Sequence, residues 1–573
     1  MKWRERDFPR ENAESIERTF SVGPLAARIL AARGVTAESF DAFLSPSLKR
    51  LSKPEDLPGI AQAAEAIVDA ASRGKKMVVF GDYDCDGICA AAILKKTLDA
   101  FFPGTAATFI PDRLSEGYGM SEKSICRMLA ENPGVALVVT VDNGINADRH
   151  IRFLRDRGVD TIVTDHHLPG EVLPPCIVAN PKVSAPEALG DLCGAGVAFM
   201  LAGAVSAAAR KRGISSPGGI AGPLVVLAGL ATVADIMPLR GDNRIIVSEA
   251  LRLFGRFAPP GLRELHLRAS RTTPVRFGWS DFAFRLVPRI NADGRLGSGM
   301  NALALLLCDD REEARRLAAA VDLKNTERKT IEETMTEKAL GLISGADAAD
   351  VVDMADGHAG VAGIVAARII GSRPPGSQIP VAVVTGRRGS VRVPCGYNAV
   401  EMLSASSAAL ESFGGHAAAG GFLLKEGAFD EFKRLFSDAA GKFKAAAGDE
   451  TGEVLFDAVV SPGEVTLEFA EWLERIEPCG EGNPAPVFAV EDVAVSDVRI
   501  LGQTGRHVAF KLASSPSLRA VWWNGGGELE KMRNSAARTF DILFKIGISR
   551  YGESHPELSV VDIAVHSDSI RQI

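Results

Sequence analysis

The chain has 573 residues, and at about 150 residues per domain this length predicts three or four domains. Hydrophobic residues make up 46% of the chain and charged residues 24%, which is ordinary for a soluble globular protein. The net charge of −7 argues weakly against a nucleic-acid partner, although such binding depends on local basic patches.

The sequence contains no recognisable signal for export, membrane insertion or disulfide bonding. Residues 1–18 carry charges throughout and lack the apolar core of a signal peptide. The most apolar segment, 219–234, is short and contains Pro223, so we expect a buried helix instead of a membrane span. The eight cysteines form no Cys-x-x-Cys pair, so neither a zinc finger nor a disulfide framework is indicated. These features predict a cytoplasmic protein without membrane contact.

A helical lead-in is followed by alternating strand-like and helix-like runs. The pattern over 60–76 is helical, and the apolar run 88–101 predicts a second helix. Alternation of strands and helices argues for a parallel sheet with helices on both faces. The predicted strands of this α/β domain are 77–80, 106–110, 135–141, 161–164 and 177–179.

The rest of the chain predicts two buried helices, a long charged helix, a second α/β domain and a β-rich end. The buried helices are 195–210 and 223–236, the charged helix-prone stretch is 302–342, and the later features are a strand at 381–385, a glycine-rich stretch at 414–421, a helix ending near 446, a linker at 448–452 and β-like runs at 520–523 and 539–546. The predicted boundaries are 1–55 for the lead-in, 56–300 for the first α/β domain, 301–345 for the connecting helix, 346–450 for the second α/β domain and 451–573 for a small barrel or sandwich.

Three carboxylates follow the first predicted strand at alternate positions, in Asp82, Asp84 and Asp86. Because like charges this close repel one another, we expect a divalent cation to hold them, and hard cations take oxygen ligands. The pattern also begins an EF-hand calcium loop, but the twelfth position is Ile93 instead of the required Glu. A solvated acidic turn is the remaining alternative.

Further acids and two histidines stand where other predicted elements end. Asp142 follows the strand 135–141, Asp165 with His166 and His167 follows 161–164, and Asp235 lies near the end of an apolar helix. In a parallel sheet of this kind, ligands bind at the carboxyl ends of the strands. Neighbouring residues of an extended segment point to opposite sides, so we expect one histidine to bind metal and the other to face substrate.

Several motifs together resemble those of the DHH phosphoesterases, and their combination resembles the branch of bacterial exonucleases specific for single-stranded DNA. The motifs are Asp82-Tyr83-Asp84-Cys85-Asp86-Gly87, Val141-Asp142-Asn143-Gly144, Asp165-His166-His167, Ala234-Asp235, Ile110-Pro111-Asp112-Arg113, Pro288-Arg289-Ile290-Asn291-Ala292-Asp293-Gly294-Arg295, Gly389-Ser390-Val391-Arg392, Gly414-Gly415-His416 and Gly482-Asn483-Pro484. The resemblance implies a parallel-sheet DHH domain, a long helical connector, a DHHA1-like second α/β domain and a C-terminal OB-like β-barrel.

The resemblance also implies a pair of metal ions, Mn²⁺ or Mg²⁺, in each active site. One ion would be held by Asp82, Asp84 and Asp142, and the other by Asp86, Asp142, His166 and Asp235. His167 would act on the scissile phosphate, and Asp165 would orient a histidine ring. Paired metals stabilise both apical oxygens when a phosphodiester is hydrolysed.

Arginines and small residues are implied to grip the DNA strand and its 5′-terminal phosphate. These substrate-binding residues are Arg113, Tyr118, Arg289, Asn291, Arg295, Ser390, Arg392, Gly415 and His416. We expect Asn291 to lie in a turn at 291–294 around which the arginines cluster, and Arg295 and Arg392 to exploit the bidentate geometry of guanidinium. Tyr118 could stack on a base or belong to the core.

The implied function is 5′→3′ exonuclease activity on single-stranded DNA, releasing 5′-mononucleotides during DNA repair and recombination. One alternative is a phosphodiesterase for short oligonucleotides or cyclic dinucleotides, and the other is a scaffold that binds nucleic acid without cleaving it. The implied partners are single-stranded DNA with a 5′ end, a single-strand-binding protein and a RecQ-type helicase. Trp522 and Trp523 are adjacent, so one would face the core of the C-terminal domain and the other its surface.

Overall fold

The computed structural model describes most of the chain and its side chains. The residues that it does not describe are 1, 118, 187–188, 217, 271–276, 344–346, 374–376, 448–452, 503–504, 529–538, 551–552 and 567–573. Tyr118 and the predicted linker 448–452 therefore lie outside the described residues. Among the described helices, none combines the length and the hydropathy needed to cross a membrane.

The chain forms two compact units, and each contains segments that are distant in sequence. The terminal unit comprises Met1–Leu51, Pro238–Glu249 and Gly452–Ile573, and the central unit comprises Ser52–Met237 and Ala250–Thr451. The five boundaries predicted from the sequence remain predictions.

The terminal unit begins with a short strand and three helices, where the sequence predicted helices alone. The elements are β1 (Lys2–Glu5), α1 (Arg10–Phe20), α2 (Pro24–Ala31) and α3 (Phe40–Leu44). The helices bury one face each, and Ile16, Leu30 and Phe40 form their common core. Strand β1 pairs in parallel with residues 453–456. A strand of four residues with charged ends gives no local signal of so distant a partner.

The central unit opens with the predicted parallel sheet, and this part of the prediction is confirmed. The elements are α4 (Ile60–Ser72), β2 (Lys76–Phe80), α5 (Cys85–Phe101), β3 (Ala106–Phe109), α6 (Glu122–Glu131), β4 (Val135–Val141), α7 (Asp148–Arg155), β5 (Asp160–Thr164), β6 (Ile177–Ala179) and α8 (Pro181–Ser184). All strands are parallel, in the order β3-β2-β4-β5-β6. Because β2, β4 and β5 are adjacent, the residues that follow them share one edge of the sheet.

Helix α5 starts three residues earlier than predicted, and α4 ends four residues earlier. The carboxylate of Asp84 accepts hydrogen bonds from the backbone N–H groups of Asp86 and Gly87, at 2.9 and 3.1 Å. This cap satisfies N–H groups that have no partner inside a helix, so α5 begins at Cys85. Helix α4 ends at Ser72 because Gly74 turns the chain with a positive φ of 67°.

A set of helices follows the first sheet. They are α9 (Gly194–Lys211), α10 (Ala221–Ala234), α11 (Gly241–Phe257), α12 (Pro260–Ala269), a π-helical turn (Asp281–Leu286), α13 (Val287–Leu296), α14 (Met300–Leu307) and α15 (Arg311–Leu342). The turn expected at 291–294 is wrong, because these residues belong to α13. The single helix expected over 302–342 is also wrong. It is divided after Leu307, and Asp310 starts α15 by accepting the N–H of Glu313 at 2.8 Å.

A second, mixed sheet completes the central unit, as the sequence predicted. Its elements are β7 (Asp350–Asp353), α16 (Ala359–Gly371), β8 (Val381–Thr385), β9 (Arg388–Arg392), α17 (Ala399–Ala405), β10 (Leu410–His416), β11 (Ala419–Leu424) and α18 (Phe429–Ala447). The strand order is β10-β11-β9-β8-β7, with β7 and β8 parallel and the other pairs antiparallel. The glycine-rich stretch forms the tip of the β10–β11 hairpin.

The C-terminal part of the terminal unit is β-rich, as predicted. It contains β12 (Glu453–Phe456), β13 (Ala458–Val459), α19 (Leu467–Leu473), β14 (Phe488–Val493), β15 (Val495–Leu501), β16 (His507–Leu512), β17 (Ser515–Trp522), β18 (Phe540–Ser549) and β19 (His555–Val565). Strands β13 to β19 form one sheet in the order β13-β14-β18-β19-β17-β16-β15. Trp522 packs against its apolar core, whereas Trp523 is 57% exposed. Trp523 is therefore the surface-facing member of the pair.

Candidate metal centre and phosphate cleft

The predicted metal ligands converge at the carboxyl edge of the first sheet. One carboxylate oxygen from each of Asp82, Asp84 and Asp142 lies within 4.8 Å of the others. Asp86, His166 and Asp235 form a second group with the same spacing. These groups come from the end of β2, the start of α5, the end of β4, the segment after β5 and the end of α10. Elements that are far apart in sequence therefore supply one cluster.

The imidazole of His166 joins the two groups. Its Nε2 lies 3.2 Å from Oδ1 of Asp142, 3.7 Å from Oδ2 of Asp86 and 3.7 Å from Oδ2 of Asp235. Burial comes first among the causes that lower the pKa of His166, and the charge of His167 adds to it, while the charge of Asp86 opposes the shift. A neutral imidazole is the form that binds a metal ion.

The start of α9 holds Asp86 in place, a contribution that the sequence did not reveal. The backbone N–H groups of Gly194 and Ala195 donate to the two carboxylate oxygens of Asp86, at 2.7 and 2.8 Å. A helix N-terminus stabilises a carboxylate because its first N–H groups and its dipole both favour negative charge. The Cys-Gly-Ala-Gly run that opens α9 was the available signal, because small residues allow close approach.

Two positions at this centre must be glycine, because the backbone there lies too close to a neighbouring residue to leave room for a Cβ atom. A Cβ atom on Gly194 would lie 2.5 Å from Cβ and 2.6 Å from Oδ1 of Asp142. A Cβ on Gly87 would lie 2.6 Å from the backbone nitrogen of Asp82. Asp142 itself has a φ of 63°, the left-handed region that a non-glycine residue adopts only at a cost. The two glycines and the left-handed backbone of Asp142 therefore allow the carboxylates of this centre to lie close together.

The cluster carries more negative charge than its own side chains can compensate. Burial is the largest cause that raises the pKa values of Asp82, Asp84 and Asp142, and the charges of neighbouring carboxylates raise them further. Burial and the charge of Asp86 raise the pKa of Asp235 to about 8. Oδ1 of Asp82 and Oδ1 of Asp142 are buried and accept no hydrogen bond. Oxygen donors with one imidazole fit Mn²⁺ or Mg²⁺.

Asp165 and His167 form a hydrogen-bonded pair beside the ligand groups. Asp165 Oδ1 accepts hydrogen bonds from Nδ1 of His167 at 2.7 Å and from two backbone N–H groups, and Oδ2 accepts the N–H of Ile145 at 2.9 Å. Although burial opposes it, the hydrogen bond from His167 lowers the pKa of Asp165. Burial also acts to lower the pKa of His167, but the hydrogen bond and charge of Asp165 outweigh it and raise this pKa to about 9.

The two histidine rings lie close together after the end of β5 at Thr164. The predicted division of roles, with one histidine on metal and the other on substrate, stays a prediction. The ring centroids of His166 and His167 lie 4.4 Å apart. Each ring also offers a nitrogen within 4.8 Å of the Asp142 carboxylate. Both histidines therefore face the centre.

Comparisons with known proteins match most of the length of the chain. A model of the DHH family, N-terminal domain, matches residues 76–224, and a model of the RecJ OB domain matches residues 456–562. The single-stranded-DNA-specific exonuclease RecJ of Thermus thermophilus is 36% identical over 532 residues, covering 92% of this chain and 74% of that protein. The chain belongs to the RecJ family. Escherichia coli K12 RecJ is 32% identical, with 96% of this chain and 98% of that protein covered.

Solved RecJ structures share the fold described above. The crystal structure of RecJ in complex with Mn²⁺ from T. thermophilus has a TM-score of 0.83 at 33% identity, covering 98% of this chain and 79% of that one. The corresponding complex with Mg²⁺ has a TM-score of 0.77 at 31% identity. The predicted fold class, including the OB-like C-terminal domain, is thereby confirmed.

A cleft of about 400 Å³ lies in the central unit between the first and second sheets. Tyr83, next to the metal cluster, lines it together with Arg113 and with Ser390 from β9. The guanidinium carbon of Arg113 lies 5.0 Å from the centroid of the Tyr83 ring. Two further residues, Arg388 and Phe413, line the cleft from β9 and β10. Arg388 belongs to a basic cluster beside Gly389 that the sequence equally allowed to be solvated surface, and Phe413 was not predicted. Successive side chains of a strand point to opposite faces of the sheet, so Arg388 could have been expected on the same face as Ser390.

Three of the predicted arginines lie at or beside the cleft without a carboxylate partner among the described residues, and the same holds for Arg388. Within the described part of the chain, Arg113, Arg295 and Arg392 lie in no ion pair closer than 4.0 Å, unlike most of the other arginines. Burial, followed by the charges of Arg113 and Arg392, lowers the pKa of Arg295 to about 10. Burial and the charge of Arg113 lower the pKa of Arg392. Buried cations that repel one another make this a favourable position for an anion.

The remaining predicted substrate residues are not all brought to the cleft. Arg289 Nε lies 2.8 Å from Asp322 Oδ1, so its charge is already compensated. Asn291 Oδ1 accepts the N–H of Cys85 at 2.8 Å and so braces the loop that carries the ligands. Gly415 and His416 lie on β10, and His416 is exposed and separated from Arg392 by strand β11. Their binding roles remain predictions.

Proposed function

We propose that this RecJ-family protein is a metal-dependent 5′→3′ exonuclease that hydrolyses single-stranded DNA and releases 5′-mononucleotides. The observation that carries the proposal is the juxtaposition of an uncompensated acidic cluster with a cleft that is lined by Arg113 and Arg388, with Arg295 and Arg392 buried beside it. The acidic cluster suits divalent cations, and the arginines suit the phosphate of a nucleic acid. The curated relatives in T. thermophilus and E. coli carry the name single-stranded-DNA-specific exonuclease, which supports the assignment.

The residues of the cluster divide between two cation positions. Asp82, Asp84 and Asp142 would hold one Mn²⁺ or Mg²⁺ ion, and Asp86, Asp142, His166 and Asp235 would hold the other. When bound, the ions neutralise the phosphodiester and acidify a water molecule for in-line attack. Asp142 would be shared, because it is grouped with Asp82 and Asp84 and its Oδ1 also lies 3.2 Å from Nε2 of His166.

His167 and Asp165 act as a pair on the scissile phosphate. With a pKa of about 9, His167 is positively charged at neutral pH, so it can stabilise the phosphate or protonate the leaving 3′ oxygen. Asp165 keeps the ring in position through Nδ1, which leaves Nε2 to face the substrate. Asp165 is therefore a positioning residue, because it acts through the ring of His167 that its Oδ1 holds.

The cleft would receive the 5′ end of the strand. Arg113, Arg295 and Arg392 supply charge, and Ser390 supplies a hydroxyl group beside them. A 5′-terminal phosphate held there would place the first internucleotide phosphate at the cations. A site that captures a chain end sets the direction of digestion, because each cycle exposes a new 5′ phosphate.

A comparison of two substrates tests this assignment. We expect a 3′-labelled single strand with a 5′ phosphate to be degraded faster than the same strand with a 5′ hydroxyl in Mn²⁺. Arg392→Ala should reduce that preference, because the arginine is buried beside the cleft and has no carboxylate partner. Arg387→Ala is the matched control, since Arg387 precedes the same strand but is ion-paired with Glu411. Equal loss on both substrates in Arg392→Ala would refute the assigned phosphate pocket.

Two other functions remain distinguishable by simple assays. A phosphodiesterase for short oligonucleotides or cyclic dinucleotides would prefer a dinucleotide to a long labelled strand. A nucleic-acid-binding scaffold would bind the strand and release no nucleotides in Mn²⁺. An acid or a histidine is present at every expected metal-ligand position, which favours an enzyme over a scaffold. The match to the RecJ OB domain at residues 456–562 favours an exonuclease that acts on long strands.

We further propose that the protein works in the cytoplasm in DNA repair and recombination, together with a single-strand-binding protein and a RecQ-type helicase. Such partners would supply the unpaired strand that a single-strand-specific nuclease needs. We also propose the five domains with the boundaries predicted from the sequence. Co-purification with each partner and a helicase-coupled digestion assay on duplex DNA would test these assignments.

A further inference from the structure

Helix α10 ends at the metal cluster in a motif that normally contains glycine. The N–H of Ile236 donates to the carbonyl of Val233 at 3.3 Å, and the N–H of Met237 donates to the carbonyl of Thr232 at 3.1 Å. These two bonds define a Schellman motif, in which the residue after the cap, here Ile236, is left-handed. Ile236 has a φ of 55°.

An isoleucine is an unfavourable choice at this position. The left-handed conformation brings Cβ too close to the following carbonyl oxygen, and branching at Cβ makes the conflict worse. Among the described residues with positive φ other than glycine, Ile236 is the one with a β-branched side chain. Glycine or asparagine would satisfy the same hydrogen bonds without this strain.

Packing within the chain does not explain the isoleucine either. Its side chain is 71% exposed, the largest value among the exposed large apolar residues of the described chain. A side chain that is both strained and exposed lowers the stability of the free protein, so its contribution must come from contact with something else. Strain of this kind is concentrated at functional sites.

The position of Ile236 identifies the part of the substrate that it can meet. It directly follows Asp235, which belongs to the group with Asp86 and His166. The cleft adjoins the other group, since Tyr83, which lies between Asp82 and Asp84 in the chain, lines it beside Arg113. Ile236 therefore adjoins a different ligand group from the one beside the 5′-phosphate cleft.

We propose that Ile236 is a positioning residue that contacts the apolar surface of the nucleoside on the 3′ side of the scissile phosphate. The inference rests on the proposed exonuclease function, in which the 5′ end occupies the arginine cleft. The strand that remains after each cut must then leave past Asp235. An apolar side chain there covers a base or a deoxyribose and holds the next phosphate over the cations.

Replacement by glycine separates this role from a structural one. Ile236→Gly should raise the unfolding midpoint by about 1–3 °C through relief of strain. The same variant should raise KM for a 5′-phosphorylated single strand about fivefold through loss of the apolar contact. Affinity for Mn²⁺, measured by calorimetry without DNA, should stay unchanged because Asp235 is kept. Ile236→Asn, which also suits the left-handed conformation, should behave in the same way.

Ser21 offers a matched control for the strain. It is exposed, follows helix α1 and has a φ of 52°. Ser21→Gly should raise the unfolding midpoint without any change in KM. If Ile236→Gly retains the wild-type KM while wild-type protein digests the strand, the inference is refuted and the proposed function stands. If wild-type protein releases no nucleotide in Mn²⁺, the proposed function itself fails.

A strand with an abasic second nucleotide identifies the surface that is contacted. If Ile236 covers the base, wild-type protein will have a higher KM for the abasic strand and Ile236→Gly will not distinguish the two strands. If Ile236 covers the deoxyribose, the variant will lose affinity equally for both. Each result supports contact with the nucleoside, whereas a variant that matches wild type on both strands contradicts it.

Discussion

Gly194→Ala tests whether the position of Asp142 determines metal binding. The new Cβ would lie 2.5 Å from Cβ, 2.7 Å from Cγ and 2.6 Å from Oδ1 of Asp142. Carbon atoms in ordinary contact are about 3.5 Å apart, so the carboxylate or the start of α9 must shift by about 1 Å. Metal–ligand distances tolerate only about 0.2 Å.

Either shift damages the centre. If Asp142 withdraws, the shared ligand is misplaced, and if α9 withdraws, the bond from the Gly194 N–H to Asp86 lengthens from 2.7 Å. Loss of a group that orients a ligand typically costs 10–100-fold in metal affinity, or about 1.4–2.8 kcal/mol. A misplacement of about 1 Å can cost a further factor of about 100 in rate.

Calorimetric titration with Mn²⁺ and digestion of a 5′-phosphorylated single strand measure these effects. Gly255→Ala on α11 is the control, because its Cβ would meet no atom within 4 Å. It should leave both measurements at the wild-type level and stabilise the helix by up to about 1 kcal/mol. Wild-type Mn²⁺ affinity and turnover in Gly194→Ala would refute the geometric argument.

Three further predictions follow from the charges and caps. Asp165→Asn should lower kcat about 10–100-fold with Mn²⁺ affinity retained, and the alkaline limb of the kcat profile should move to lower pH because the pKa of His167 falls from about 9. In chelator, the folded-state pKa of Asp235, about 8, lies above its unfolded value of 3.8, so its contribution to stability is full below pH 3.8 and is lost as pH rises through 8. The unfolding midpoint should therefore fall between pH 5 and 8 in chelator, and Mn²⁺ should abolish that fall. Asp310→Ala should cost about 1 kcal/mol in chemical denaturation through loss of the α15 cap, with no change in metal affinity.

The acidic cluster was predictable because each member follows a recognisable element. Asp82, Asp142 and Asp165 come after apolar runs that could only be buried strands, and parallel strands bring their carboxyl ends to one edge. That reasoning needs no knowledge of contacts between distant residues. The resemblance to a known family then supplied the division of the ligands between two ions.

Other parts of the site depend on tertiary contacts that local patterns do not contain. The Asn-Ala-Asp-Gly run at 291–294 favours a turn, but Asp293 Oδ2 accepts the N–H of Ala302 at 2.9 Å and Asn291 accepts that of Cys85. These long-range hydrogen bonds override local propensity and keep the segment helical. The contact between Gly194 and Asp86 likewise joins residues 108 positions apart.

One error could have been avoided from the sequence alone. Asp310 is followed three positions later by Glu313, which is the signature of a helix start. It predicts the break before α15 that the structure contains. The pairing of β1 with β12, in contrast, could not be predicted from the sequence. It joins residues 2–5 to residues 453–456, and no local pattern in either segment specifies so distant a partner.

The most direct test of the metal centre is anomalous diffraction from a crystal soaked in MnCl₂. Two manganese peaks about 3.5–4 Å apart are expected, with the carboxylate of Asp142 between them. One peak should contact Asp82 and Asp84, and the other should contact Asp86, His166 and Asp235. A map without manganese among these side chains, in crystals that bind the ion elsewhere, would contradict the account.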